Sequence, residues 1–188
     1  MNNMYCFRKH TNRFYINYND YNKFYSHKKT LYIVSHECEH IDVFIMQTLF
    51  KHILQHNYHF VLDNNWHNKI LEYYQMRYKN INCMFTRTGV VQKSINILNY
   101  SNDNVVLWLY DFKNSSGSFN IYKNTDCKIV LVKINCNDKF KKNHLNSNII
   151  ELLSFYVNKQ FTIQIEDFNT HLTNNEDFLT EIKNRLYT

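Results

Sequence analysis

The sequence predicts an α/β domain, a mixed, largely parallel sheet flanked by helices. Three observations predict it. Short apolar runs at residues 31–34, 58–62 and 105–109 have the length and the β-branched or aromatic content of buried strands. Stretches with apolar residues three and four apart separate them, the mark of helices with one buried face. Strands that alternate with helices of this length need crossover connections, which leave neighbouring strands parallel. A chain of 188 residues fits one such domain, read here as residues 31–188 behind an N-terminal extension of residues 1–30.

The first thirty residues are aromatic and polar without a clear period, and a short helix is the expectation there. Leu31, Tyr32, Ile33 and Val34 make a short buried strand. From Asp42 the period changes: Phe44, Ile45, Met46, Leu49, Phe50, Ile53 and Leu54 recur at helical spacing, with Asp42 placed to cap the start and favour its dipole. Tyr58–Leu62 is a second strand, and residues 66–77 read as helix with Ile70, Leu71 and Tyr74 on one face. Residues 81–86 make a third strand and 90–98 a third helix. Val105 to Leu109 is the plainest buried strand, followed by a turn-rich stretch at 114–118. Residues 128–134 and 161–165 are further strands, the latter with apolar residues on alternate positions. Residues 176–186 close the chain as an amphipathic helix striped by Phe178, Leu179, Ile182 and Leu186.

Composition narrows the function classes. There is no Pro or Ala and only 2 Gly, while Asn, Lys, Ile, Tyr and Phe are abundant, a bias of AT-rich codons that fits a large DNA virus or an AT-rich microbial eukaryote. The net charge of +6 follows partly from that Lys usage. Basic residues are scattered apart from Lys139, Lys141 and Lys142, and no nucleic-acid motif accompanies them, so no nucleic-acid partner is expected. The 5 Cys are widely spaced and form no CxxC pair, which indicates neither a disulfide framework nor a zinc ribbon. No apolar run reaches the roughly 18–20 residues of a membrane span, and the N-terminal residues lack signal-peptide character. The expectation is a cytoplasmic protein, free or at a membrane surface.

In parallel sheets, chemistry gathers at the carboxyl ends of the strands, which directs attention to residues 36–42, Arg87 and Asp111. The segment Ser35-His36-Glu37-Cys38-Glu39-His40-Ile41-Asp42 lies between a strand and a helix and supports three readings. His36, Glu37 and His40 match the H-E-x-x-H zinc signature, which needs both imidazoles on one helical face. His36, Cys38 and His40 on alternate strand positions would be a metal cluster. His36 with Asp42 would be an acid–base pair, the carboxylate fixing the tautomer and stabilising the imidazolium.

The order of the later segments favours the third reading. A strand ending near a histidine, a carboxylate a few residues on, Phe85-Thr86-Arg87, then the strand and turn from Val105 to Ser115 with Gly117 and Lys123 beyond, resembles the glycerol-phosphate and lysophospholipid acyltransferase family. The resemblance covers roughly residues 28 to 188. Five residues separate His36 from Asp42, one more than the family pattern, which leaves His40 as an alternative base. In the turn that resembles the family's Phe-Pro-Glu-Gly-Thr-Arg, Asp111 stands for the Glu, Phe112 for the Gly, and no Arg is present.

The resemblance implies acyl transfer. His36 would deprotonate a glycerol hydroxyl that attacks an acyl thioester, with Asp42 orienting the imidazole. Arg87 and Lys113 would hold the acceptor's phosphate, and Asp111 its polyol, with Gly117 and Lys123 completing the substrate site. It implies no bound cofactor, acyl-CoA or acyl carrier protein as donor, a phospholipid precursor as acceptor, and peripheral attachment to a membrane. A catalytically inactive lipid- or protein-binding relative is the alternative from another class, and a zinc-dependent hydrolase the third.

Overall fold

A computed structural model of the chain describes residues 4–9, 12–17, 29–35, 45–46, 49, 57–62, 82–85, 89–101, 103–108, 116–136, 159–169 and 171–187. Eight strands form one sheet: β1 (Met4–Lys9), β2 (Asn12–Asn17), β3 (Thr30–Val34), β4 (Tyr58–Leu62), β5 (Asn82–Phe85), β6 (Asn104–Trp108), β7 (Lys128–Cys136) and β8 (Gln160–Asp167). Three helices are described over their whole length: α1 (Val90–Tyr100), α2 (Ser116–Lys123) and α3 (Asn175–Tyr187). The spatial order is β1-β2-β8-β7-β3-β6-β4-β5. From β7 to β5 every neighbouring pair is parallel, β8 runs antiparallel to β7, and β1 is antiparallel to β2. The mixed, mostly parallel sheet expected from the alternation of periods is therefore present.

The central strands β3 and β6 are buried at every position, as strands covered on both faces must be. Alternate residues divide between two layers. Leu31, Ile33, Val105, Leu107, Ile129 and Leu131 point into one cluster with Ile95 and Leu98 of α1, Phe119 and Ile121 of α2, and Phe178 and Ile182 of α3. Aromatic rings concentrate the contact. Phe178 stacks on Tyr122 at 5.1 Å between centroids, meets Phe119 at 5.4 Å, and takes Phe168 edge-on at 5.6 Å. Tyr32, Val34, Phe60, Val106 and Trp108 belong to the opposite layer and are likewise buried.

Two elements differ from the sequence reading. The described residues among the first thirty form strands where a short helix was expected: β1 and β2 form an antiparallel pair, and β2 lies parallel to β8. Phe14 and Ile16 are fully buried at alternate positions, and Phe14 stacks on Phe161 of β8 at 5.4 Å. The stretch read as a turn at 114–118 enters α2 at Ser116. Gly117 explains the difference. A Cβ built there would stand 3.1 Å from Val91 Cγ2, so the missing side chain lets α2 lie close against α1 and serves packing inside a helix. Gly89, just before α1, has φ +92°, a left-handed backbone that side chains rarely adopt.

Of the helix expected after Asp42, Ile45, Met46 and Leu49 are helical and buried. The helix read at 66–77 lies outside the described residues. No described helix is long and apolar enough to cross a membrane.

Candidate functional site

Connectivity fixes where a site can form. From β3 the chain passes to β4, beyond β6, and then outward to β5; from β5 it returns to β6 and continues past β3 to β7. The two sets of crossovers thus travel in opposite directions. Crossovers between parallel strands are right-handed as a rule. The helices of the second set, α1 and α2, share a layer and pack against each other, as this requires. Strands β3 and β6 are adjacent and parallel, and the chain leaves them in opposite directions along the sheet, the arrangement beyond whose carboxyl ends α/β folds commonly form a ligand crevice.

The last residues of both strands are firmly held. Val34 and Trp108 are register partners. Ser35 is fully buried and extends β3 by one residue: its N–H donates to Val132 O at 2.9 Å, and its Oγ accepts from the N–H of Ile134 at 3.0 Å. Trp108 is 5% exposed, with its ring tilted against Phe60 at 5.4 Å. Its Nε1 is buried and has no hydrogen-bond partner among the described residues. On the same face of β3, burial pushes the Tyr32 phenol above its usual range, so it stays neutral.

Of the residues expected to act, His36, Glu37, Cys38, His40, Asp42, Arg87, Asp111 and Lys113 lie outside the described residues. His36 follows Ser35 directly in the sequence, and Asp111 comes three residues after Trp108. Gly117 is the helix-packing glycine of α2. Lys123 is exposed in the last turn of that helix, its Nζ 5.0 Å from the centroid of the Phe119 ring. Six residues of helix put these two about 9 Å apart along the axis. The following residue, Asn124, accepts a bond at its carbonyl from Asn99 Nδ2 near the end of α1, at 3.1 Å, and the chain then enters β7 at Lys128. Lys123 therefore sits at the amino edge of the sheet and is not brought to the crevice.

A second polar cluster, which the sequence reading did not single out, occupies that amino edge. His59 Nε2 lies 2.9 Å from Asp103 Oδ2, with the side chains 15% and 22% exposed. The Asp103 N–H donates to Ser101 Oγ at 3.1 Å, and Ser101 Oγ donates to Ile97 O at 2.8 Å. Burial acts to raise the Asp103 carboxyl, but hydrogen bonds from His59, Asn57 and Ser101 outweigh it and hold the group below the usual carboxylate range. Beside this pair, Asn104 is fully buried; its Oδ1 accepts from the Thr30 N–H at 2.9 Å, and its own N–H donates to Asn57 O at 3.0 Å. These groups join the starts of β3, β4 and β6, although Asn104 Nδ2 is buried without a partner among the described residues. A His–Asp pair is a usable acid–base unit in principle, but this one faces its own strand starts and the turn after α1. It acts as a fastening between β4 and β6.

No three His, Cys, Asp or Glu side chains among the described residues come together as a metal site. A groove of about 430 Å³ lies away from the crevice, between α3 and the open face of β8, lined by Lys133, Thr162, Gln164 and Glu166 among others. There Glu166 is paired with Arg185, which also binds Glu181 at 2.7 Å. Compared with known proteins, the chain matches no family model and no curated protein sequence.

Proposed function

We propose that this chain transfers a fatty acyl group from an acyl thioester to a hydroxyl of glycerol phosphate or a lysophospholipid. The observation that carries the reading is the pairing of Val34 with Trp108 at the switch point. From these two neighbouring positions the chain continues into His36–Asp42 on one side and Asp111–Lys113 on the other. Two sequence blocks 69 residues apart, Asp42 to Asp111 by number, are thereby started from one edge of the sheet, where α/β folds hold their ligands.

In this reading His36 accepts the proton of the acceptor hydroxyl as its oxygen attacks the thioester carbonyl. The carbon–oxygen bond forms, the carbon–sulfur bond breaks, and the imidazolium returns the proton to the leaving thiolate. Asp42 positions the imidazole. Arg87 offers a planar guanidinium to the acceptor's phosphate, Lys113 adds a second positive charge, and Asp111 accepts from the polyol hydroxyls. Gly117 and Lys123 stay outside the site, the first as a packing residue and the second at the far edge. The net charge of +6 favours attachment to an anionic bilayer, where a lysophospholipid acceptor and the acylated product reside.

The test is transfer of the acyl group from palmitoyl-CoA to lysophosphatidate or glycerol 3-phosphate. The His36→Ala variant is expected to lose about 10²–10⁴-fold in rate, as for removal of a general base, and His40→Ala to retain activity. Absence of transfer with the native chain, or a His36→Ala variant as active as the parent, refutes the reading. Stoichiometric zinc that is lost on His36→Ala would assign the same residues to a metal hydrolase.

A further inference from the structure

The lateral borders of the sheet are β1 on one side and β5 on the other. A border strand presents a row of backbone N–H and C=O groups, which proteins commonly protect by shortness, a Pro or a bulge. β5 has the first protection, at 4 residues. β1 has 6 residues, pairs with β2 in unbroken register, and belongs to a chain without Pro. Hydrogen-bond parity shows which of its groups face outward. The Arg13 N–H donates to Lys159 O at 3.0 Å, so Arg13 turns its backbone groups to β8 and away from β1. Asn12, Phe14 and Ile16 then face β1 and bond with their register partners Lys9, Phe7 and Tyr5. Met4, Cys6 and Arg8 therefore aim their backbone N–H and C=O groups away from the sheet.

We infer that β1 pairs with β1 of a second copy, antiparallel about a two-fold axis, with Cys6 opposite Cys6. In an antiparallel ladder outward-facing groups must meet outward-facing groups. A second copy brings the same residues with the same parity, so the match follows from symmetry. With Cys6 at the axis, Met4 of each copy stands opposite Arg8 of the other, and all three outward positions form hydrogen-bonded pairs. Moving the axis by one residue in either direction leaves one of the three outside the partner strand. Moving it to Arg8 sets Arg8 opposite Arg8, and like charges directly opposite destabilise a ladder. The contact uses one patch on both copies and closes on itself. It joins the two sheets into one, with β5 at both ends, and leaves the carboxyl edge of β3 and β6 free.

Sedimentation of the full chain under reducing conditions, from micromolar to millimolar protein, is expected to show a monomer–dimer equilibrium and no larger species. Cys6→Pro removes an outward N–H and leaves the β1–β2 bonds intact, a position where a border strand tolerates Pro. It is expected to weaken dimerisation at least about 100-fold, two hydrogen bonds across the axis at roughly ten-fold each. Cys6→Ala, which keeps the N–H, is expected to dimerise like the parent. A native chain that stays monomeric, a Cys6→Pro variant that dimerises as well as the parent, or growth beyond the dimer overturns the inference. Amide exchange of the native chain decides the matter even if Cys6→Pro does not fold. The Tyr5, Phe7 and Lys9 amides should be protected at every concentration, and those of Met4, Cys6 and Arg8 only as the dimer forms. Exchange at the latter three that ignores concentration contradicts the pairing.

Discussion

The two edges of the parallel sheet are built on different terms. At the amino edge, polar groups of neighbouring elements answer one another: Thr30 with Asn104, Asn104 with Asn57, His59 with Asp103, Asp103 with Ser101, and Asn99 with Asn124. At the carboxyl edge of β3 and β6, Ser35 is tied into the ladder, while the Trp108 indole N–H, like Asn104 Nδ2 at the amino edge, is buried without a partner among the described residues. Mutual satisfaction is what a structural fastening needs, since every orphaned buried donor costs stability. The comparison teaches that a His–Asp pair of good geometry, such as His59 and Asp103, marks a site only if the fold leaves room and open valence around it.

Breaking the amino edge should cost stability and spare activity. Asn104→Ala removes the acceptor of the buried Thr30 N–H and is expected to destabilise by about 2 kcal/mol, a fall of roughly 4–8 °C in Tm for a chain of this size. Thermal unfolding followed by circular dichroism measures it. A smaller loss, about 1 kcal/mol, is expected for Asp103→Asn, because both partners are partly exposed and water competes for the bond. That loss should depend on pH. The Asp103 carboxyl is held below its unfolded value, so its contribution is complete above the unfolded carboxylate range and disappears as pH falls through the lowered folded value. Urea melts of both proteins at neutral pH and at successively lower pH should converge; a gap that widens in acid would contradict the assignment.

Much of the fold was legible because apolar runs and periods are local properties. Thr30–Val34, Tyr58–Leu62, Val90–Tyr100 and Asn104–Trp108 follow their sequence patterns within a residue or two. The parts not legible depend on distant partners. The alternation of Phe14 and Ile16 is blurred by Tyr15 between them, and its meaning comes from β8, whose Phe161 and Ile163 are their register partners far along the chain. Ser116-Gly117-Ser118 has turn chemistry, but burial of Phe119 and Ile121 and the close approach of Val91 favour a helix. Among candidate site residues, the carboxyl-edge set was read from motif order and strand ends, and His36, His40, Asp42, Arg87, Asp111 and Lys113 lie outside the described residues. The pairing of His59 with Asp103 could not, because it needs the register that sets Tyr58 opposite Asn104.

Two weaker effects sharpen the contrast. Trp108→Phe without ligand should leave stability unchanged or slightly raised, since it deletes an unsatisfied donor and keeps a ring against Phe60. A drop in Tm of several degrees would mean that the indole nitrogen is already bonded in the free protein. Lys123→Ala, an exposed change at the end of α2, should lie within about 0.5 kcal/mol of the parent and leave acyl transfer unaltered. Loss of activity there would move part of the site to the amino edge.

The decisive comparison sets one variant from each edge side by side in the same palmitoyl-CoA transfer assay, with folding checked by circular dichroism. His36→Ala should abolish turnover in a protein as stable as its parent, and Asp103→Asn should turn over normally despite melting earlier. The reverse outcome, an active His36→Ala and an inactive but folded Asp103→Asn, would place the chemistry at the opposite edge of the sheet.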